Sequence, residues 1–208
     1  MVMFKIHRDN YGIHLQIKLL KINFQAKVNK EYELAHTIGV RNNTGGFRLI
    51  FLDYDETMLE FIKDEIKHLQ ARFFLSDFYI FKSSQKPNGF HAICLDKLRY
   101  KEFLEAMSYT SCDEYYKTMP PSNDKNSWVL RMDKKEGSEK PKPITTIKSK
   151  WNIRKKSLAH ALFLKYNYKI TINKLKNLDK NKKLYVIKYG TLNYIQAKDI
   201  KQTKNKER

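Results

Sequence analysis

The sequence predicts an α+β fold: a β-α-β-β-α-β core, preceded by a small β-containing module and followed by a basic extension. Three observations predict it. Apolar runs of strand length alternate with two stretches of helical periodicity. Clusters of Asn, Gly, Pro and Ser separate those runs. Positive charge crowds into the last third of the chain.

Residues 1–47 form the expected N-terminal module. Phe4-Lys-Ile-His7 and Ile13-His-Leu-Gln-Ile-Lys-Leu alternate apolar and polar residues around Asp9-Asn-Tyr-Gly12, which reads as two strands and a turn. His7 and His14 read as strand-face residues, since no acid or cysteine lies at metal-binding spacing. Arg41-Asn-Asn-Thr-Gly-Gly46 reads as a loop that delivers the chain into the first core strand.

That strand is Arg48-Leu-Ile-Phe-Leu-Asp53-Tyr-Asp55-Glu56. Strand side chains alternate faces, so Asp53 and Asp55 are expected to point the same way. Two carboxylates so placed repel each other unless a cation lies between them, and Mg²⁺ or Mn²⁺ suits such oxygen ligands. The alternative is that the two acids only end a strand and begin a helix. Met58, Leu59, Ile62, Ile66 and Leu69 then recur at helical spacing, with Thr57 as a weak cap.

Phe78-Tyr-Ile-Phe81 and Phe90-His-Ala-Ile-Cys-Leu95 flank a polar Pro-Asn-Gly turn and read as a hairpin. His91 opens its second strand. It reads either as a structural histidine or, beside Lys82, Ser83, Ser84 and Lys86, as part of a phosphate-binding group. Residues 98–107 read as a second helix with Leu98, Phe103, Leu104 and Met107 inward. Trp128-Val-Leu-Arg-Met132 is a final short strand ending in Asp133. This order is that of the split βαβ, or ferredoxin-like, arrangement, in which the first and last strands lie side by side. That arrangement would bring Asp133 near Asp53 and Asp55.

The division into domains is expected near residue 140: a catalytic domain over 1–140, with its core at 47–135, and a basic α/β extension over 141–208. Residues 134–143 read as a linker, residues 157–168 as a helix, and residues 184–195 as a hairpin around Gly190. Residues 201–208 read as a disordered tail. The net charge of +19 is unevenly placed. Through Asp133 there are 19 Lys/Arg against 17 Asp/Glu; after it there are 22 against 5. A basic segment on a near-neutral domain points to nucleic acid, with Lys134, Lys135, Lys150, Arg154, Lys155 and Lys156 as candidate contacts. Cys94 and Cys112 make neither a disulfide framework nor a zinc site, so a cytoplasmic location and no zinc are expected. No apolar run approaches membrane-spanning length.

Three segments resemble the archaeo-eukaryotic primase superfamily, the primase-polymerases, and in particular its small plasmid and virus members. They are Ile50-Phe-Leu-Asp53-Tyr-Asp55, Ser83-Ser-Gln-Lys-Pro-Asn-Gly89-Phe-His91 and Val129-Leu-Arg131-Met-Asp133. They stand in the family's order across residues 47–135. The resemblance implies an RNA-recognition-motif-like core that makes or extends primers on single-stranded DNA from NTPs or dNTPs, in plasmid or viral replication. It implies Asp53, Asp55 and Asp133 as catalytic ligands of two divalent ions about 4 Å apart. It implies His91 as a triphosphate contact with Ser84 or Ser83 and Lys82, and a separate helicase as a further partner. Arg131 reads as either a phosphate contact or a salt-bridge residue on the sheet face. The rival readings are a metal-dependent nuclease of a mobile element and a non-catalytic nucleic-acid-binding module of the same topology.

Overall fold

The computed structural model describes residues 2–9, 12–19, 22–28, 39–83, 87–118, 127–133, 139–171, 177–179, 183–188 and 191–196. The chain divides into two compact units, Met1–Leu34 and Ala35–Arg208. The first unit thus ends within the stretch expected as an N-terminal module.

The first unit is an antiparallel meander of β1 (Val2–Asp9), β2 (Gly12–Leu19) and β3 (Ile22–Val28). The two expected strands are present, with Asp9 opposite Gly12 at the turn. The third strand was not foreseen.

The second unit opens with β4 (Gly39–Arg41), β5 (Asn43–Thr44) and β6 (Phe47–Tyr54). The segment expected as a plain loop is thus a tight hairpin. Gly45 and Gly46 both have positive φ, 53° and 83°, as a two-residue turn between twisted strands requires. Then follow α1 (Leu59–Phe73), β7 (Phe78–Lys82), β8 (Phe90–Leu98), α2 (Tyr100–Ser108), the short α3 (Glu114–Thr118) and β9 (Val129–Arg131). The chain continues through β10 (Lys142–Ile147), α4 (Leu158–Tyr168), β11 (Lys183–Lys188) and β12 (Thr191–Gln196). The result is a mixed α+β fold with antiparallel sheets and, among the described residues, four helices.

The central sheet has the order β10-β7-β8-β6-β5, and a second sheet has the order β12-β11-β4-β9. Alternation along β6 explains how both faces of the central sheet are covered. Ile50, Leu52 and Tyr54 face a core shared with Ile62, Ile66 and Leu69 of α1 and Phe103 of α2. Leu49 and Phe51 face a second core shared with Val40 and Leu130 of the second sheet, Met132 just beyond β9, and Phe163 and Leu164 of α4. A strand buried on both faces reads as a continuous apolar run, which is how residues 49–52 read.

Several sequence expectations are corrected. β9 pairs with β4, so the last core strand does not lie hydrogen-bonded beside the first. β10 is an edge strand of the central sheet, although its residues looked like a linker and an extension. Its proline and lysine are accommodated because only one edge of the strand is paired. Thr57 does not cap α1: its hydroxyl donates back to the Asp55 carbonyl, and Met58 holds the N-cap position without a side-chain bond. Met58 and Leu104, expected inward, are exposed: Met58 holds the N-cap ahead of α1, and Leu104 falls outside the buried stripe of Phe103, Ala106 and Met107. Leu98 ends β8 rather than opening α2. The tail at 201–208 lies outside the described residues.

Candidate active site

The end of β6 that carries Asp53 is held from three sides. Across the sheet, Asp53 is the register partner of His91 on β8, and His91 is the partner of Phe81 on β7. The Asp53 carbonyl accepts from the Asp113 backbone N–H at 2.7 Å, which anchors the start of α3. Asp113 also caps that helix, its carboxylate accepting from the Tyr116 N–H at 2.7 Å. Beyond Asp53 the strand stops at Tyr54, and Glu56 takes a left-handed φ of 55°. A non-glycine residue there costs on the order of 1 kcal/mol. Asp55 lies exposed on the bend just beyond the strand end. The Thr57 N–H then donates to the Asn88 carbonyl at 3.1 Å, tying this acidic turn to the β7–β8 loop.

The central pair is Asp53 and His91. Their side chains meet at 3.3 Å between Oδ1 and Nε2, with His91 3% exposed and Asp53 33% exposed. A carboxylate oxygen accepts only, so Nε2 is the ring nitrogen placed to donate to Asp53. Nδ1 is buried without a hydrogen-bond partner. Two further buried polar atoms without partners lie within reach of the Asp53 charge: the Tyr116 hydroxyl and Nε of Arg131. Burial raises the Tyr116 phenol well above its ordinary value, and the Asp53 charge adds to that rise. Burial lowers the Arg131 guanidinium, while Asp53 opposes that shift. Unsatisfied buried polar atoms each cost about 1–3 kcal/mol, and natural proteins carry few. Three around one carboxylate mark this place as built for contacts the protein alone does not make.

The remaining predicted residues divide. Ser83 is buried beside the loop, its N–H donating to the Gly89 carbonyl at 2.9 Å. The Lys82 ammonium turns back into its own hairpin, bonding the Pro87 carbonyl and lying 4.3 Å from the Phe90 ring centre. Asp133 follows β9 within reach of Tyr168, whose phenol is raised first by burial and then by the Asp133 charge. Tyr168 stacks edge-on against Phe81 at 4.9 Å, so Asp133 lies toward the same sheet face as His91. Among the described residues no three His, Cys, Asp or Glu side chains are arranged to hold a metal ion. Because β9 pairs with β4, Asp133 does not follow a strand hydrogen-bonded beside the one that carries Asp53. Ser84, Lys134 and Lys135 lie outside the described residues.

Of the basic candidates, Lys150 and Lys155 are exposed, and Arg154 bonds the Phe73 carbonyl and Glu102. Lys156 is buried, 3.4 Å from Asp96, and bonds Asn152 as well. It is a structural cation rather than a surface contact. Tyr116 and Asp113 were missed in the sequence. Only Asp113 before Glu114, a capping signal for a five-residue helix, offered a clue.

No known protein family, curated protein or solved structure matches this chain.

Proposed function

We propose that the second unit is a nucleotidyltransferase of primase-polymerase type, extending or starting a strand on a single-stranded DNA template. The Asp53–His91 pair carries this reading. It places an acid from the first resembling segment against the imidazole of the second, as a polymerase site with both segments requires. The succession β6-α1-β7-β8-α2-β9 follows the β-α-β-β-α-β order, and the neighbours β7-β8-β6 follow the split βαβ arrangement. On this reading the core is RNA-recognition-motif-like, with its last strand transferred to a neighbouring sheet.

The donor set fits a Mg²⁺ or Mn²⁺ ion. Such ions take one or two protein carboxylates and complete their shell with substrate phosphates and water. Asp53, one-third exposed at a strand end, and Asp55 on the adjoining turn would hold it. When bound, the ion neutralises charge on the reacting phosphate oxygens. His91 stays oriented by Asp53, and its imidazole would contact the nucleotide phosphates beside the ion. Arg131 supplies positive charge close to Asp53 for the same phosphates. No protein nucleophile is needed, since positioning and charge stabilisation supply most of the rate.

The test incubates the protein with single-stranded template, Mn²⁺ or Mg²⁺ and labelled NTPs or dNTPs, with and without a primer. Labelled product longer than the primer is expected. Shortening of a labelled strand without nucleotides would instead identify a nuclease.

A further inference from the structure

We propose that a single strand of nucleic acid runs along the outer edge of β10, from the row holding Asp53 and His91 to a stacking platform formed by Phe74 and Trp151. This rests on the nucleic-acid part of the function above and not on its chemistry.

The register supplies the path. Asp53, His91, Phe81 and Pro143 form one row across β6, β8, β7 and β10. At strand spacing, Pro143 lies about 14 Å from Asp53 along that row. At the other end, Ile50, Cys94, Phe78 and Ile147 form a second row. β10 therefore leads from the level of the candidate site toward residues 148–151. Its outer side borders a groove of about 370 Å³ lined by Thr145, Thr146, Lys148, Tyr168 and Lys169, among others. Hydroxyls and ammonium groups suit a phosphate backbone. A peptide strand suits it less well. Pro143 has no N–H to offer, and the register of β10 breaks between Pro143 and Thr145.

The platform lies where α1 ends. Phe74 occupies the C-cap with a left-handed φ of 54°, a position that glycine fills most cheaply. Its ring remains 44% exposed and meets Trp151 edge-on at 4.8 Å. Lys150 lies 4.9 Å from the Trp151 ring, and next to Phe73 the Arg72 guanidinium lies 4.1 Å from the half-exposed Tyr109 ring. The Arg154 bond to the Phe73 carbonyl fastens the Trp151 segment to the helix end. The nearby acids are matched: Asp77 by Lys148, Glu102 by Arg154 and Glu105 by Arg72. Exposed aromatic rings among cations bind single strands by stacking, with little regard to sequence.

The test titrates the full chain with a labelled oligo-dT, without metal or nucleotide, reading anisotropy and tryptophan emission. Trp128 is buried, so quenching reports on Trp151. We expect quenching on binding, about tenfold weaker affinity in Trp151→Ala and in Phe74→Gly, and preference for single strands over duplex. Phe74→Gly relieves the left-handed backbone, so its affinity falls without loss of thermal stability. Absent quenching, affinities within twofold of wild type in both variants, or equal duplex binding would each overturn the proposal. A protein that quenches but never incorporates nucleotides keeps this surface and loses the nucleotidyltransferase; one that incorporates without quenching does the reverse.

Discussion

Asp53 and His91 face each other across two neighbouring antiparallel strands, carboxylate to imidazole at 3.3 Å, with the ring's second nitrogen buried and unbonded. The acid stands at Nε2 and holds the ring in place across the strands. Neither residue can be changed without altering the other.

The pair separates structural from catalytic loss at Asp53. Asp53→Asn keeps an oxygen that accepts from Nε2 but removes the charge a divalent ion needs. It should fold with near-normal stability and fail to incorporate nucleotides. Asp53→Ala strips the last partner from a buried ring, and should also lower stability by about 1–3 kcal/mol. Urea unfolding together with a primer-extension assay checks both. Normal incorporation by Asp53→Asn would remove Asp53 from the chemistry.

His91→Gln should raise the apparent nucleotide Kd by about tenfold, the loss of one charge-assisted contact, while template affinity stays within twofold. Nucleotide titration at saturating template reads the first, and anisotropy of a labelled template reads the second. Equal weakening of both would give His91 a general structural role.

Much of this was legible beforehand. The run at 49–52 and the hairpin strands around Pro87, Asn88 and Gly89 announced themselves by apolar continuity and turn chemistry. So did Asp53 and His91 as candidates. Their meeting was not legible, because register between β6 and β8 depends on long-range pairing that no local pattern encodes. β10 was hidden for a related reason. Residues 139–143, Glu-Lys-Pro-Lys-Pro, have linker composition, and only tertiary context makes part of them an edge strand. Lys156 misled because a lysine in a basic stretch looks solvated. Its burial against Asp96 becomes visible only when residues 60 apart in sequence meet.

That buried pair gives a third prediction. Asp96 is fully buried and also accepts from the Ser76 hydroxyl at 2.8 Å and the Ser76 N–H at 2.6 Å. Removing one member of a buried ion pair leaves the other uncompensated, at about 3–5 kcal/mol. Lys156→Gln should therefore lower stability by that order without changing the salt dependence of oligonucleotide binding. Lys155→Gln, at an exposed neighbouring position, should leave stability within about 0.5 kcal/mol. Denaturant melts of both variants, with binding measured at several salt concentrations, decide the matter.

His160 supplies the pH dependence. It is buried on α4, where Nε2 donates to the Arg41 carbonyl at 2.7 Å and Nδ1 meets the Ser157 hydroxyl at 2.7 Å. Burial pushes its pKa from 6.5 down to about 4, against the opposing pull of the Arg41 carbonyl and the Asp179 charge. Between those values the unfolded chain takes up a proton that the folded protein refuses. Stability is thus fully present above pH 6.5 and falls as the pH drops toward 4, by about 3 kcal/mol in all. Below pH 4 both states are protonated and this loss stops growing. Nδ1 must gain a proton where it now accepts from Ser157, so α4 loosens at its first turn as the ring charges. His160→Asn cannot titrate, and should flatten the slope of unfolding free energy against pH between 4 and 6.5 whatever its stability at neutral pH. An unchanged slope in that variant would show that His160 does not set the acid limit of the fold.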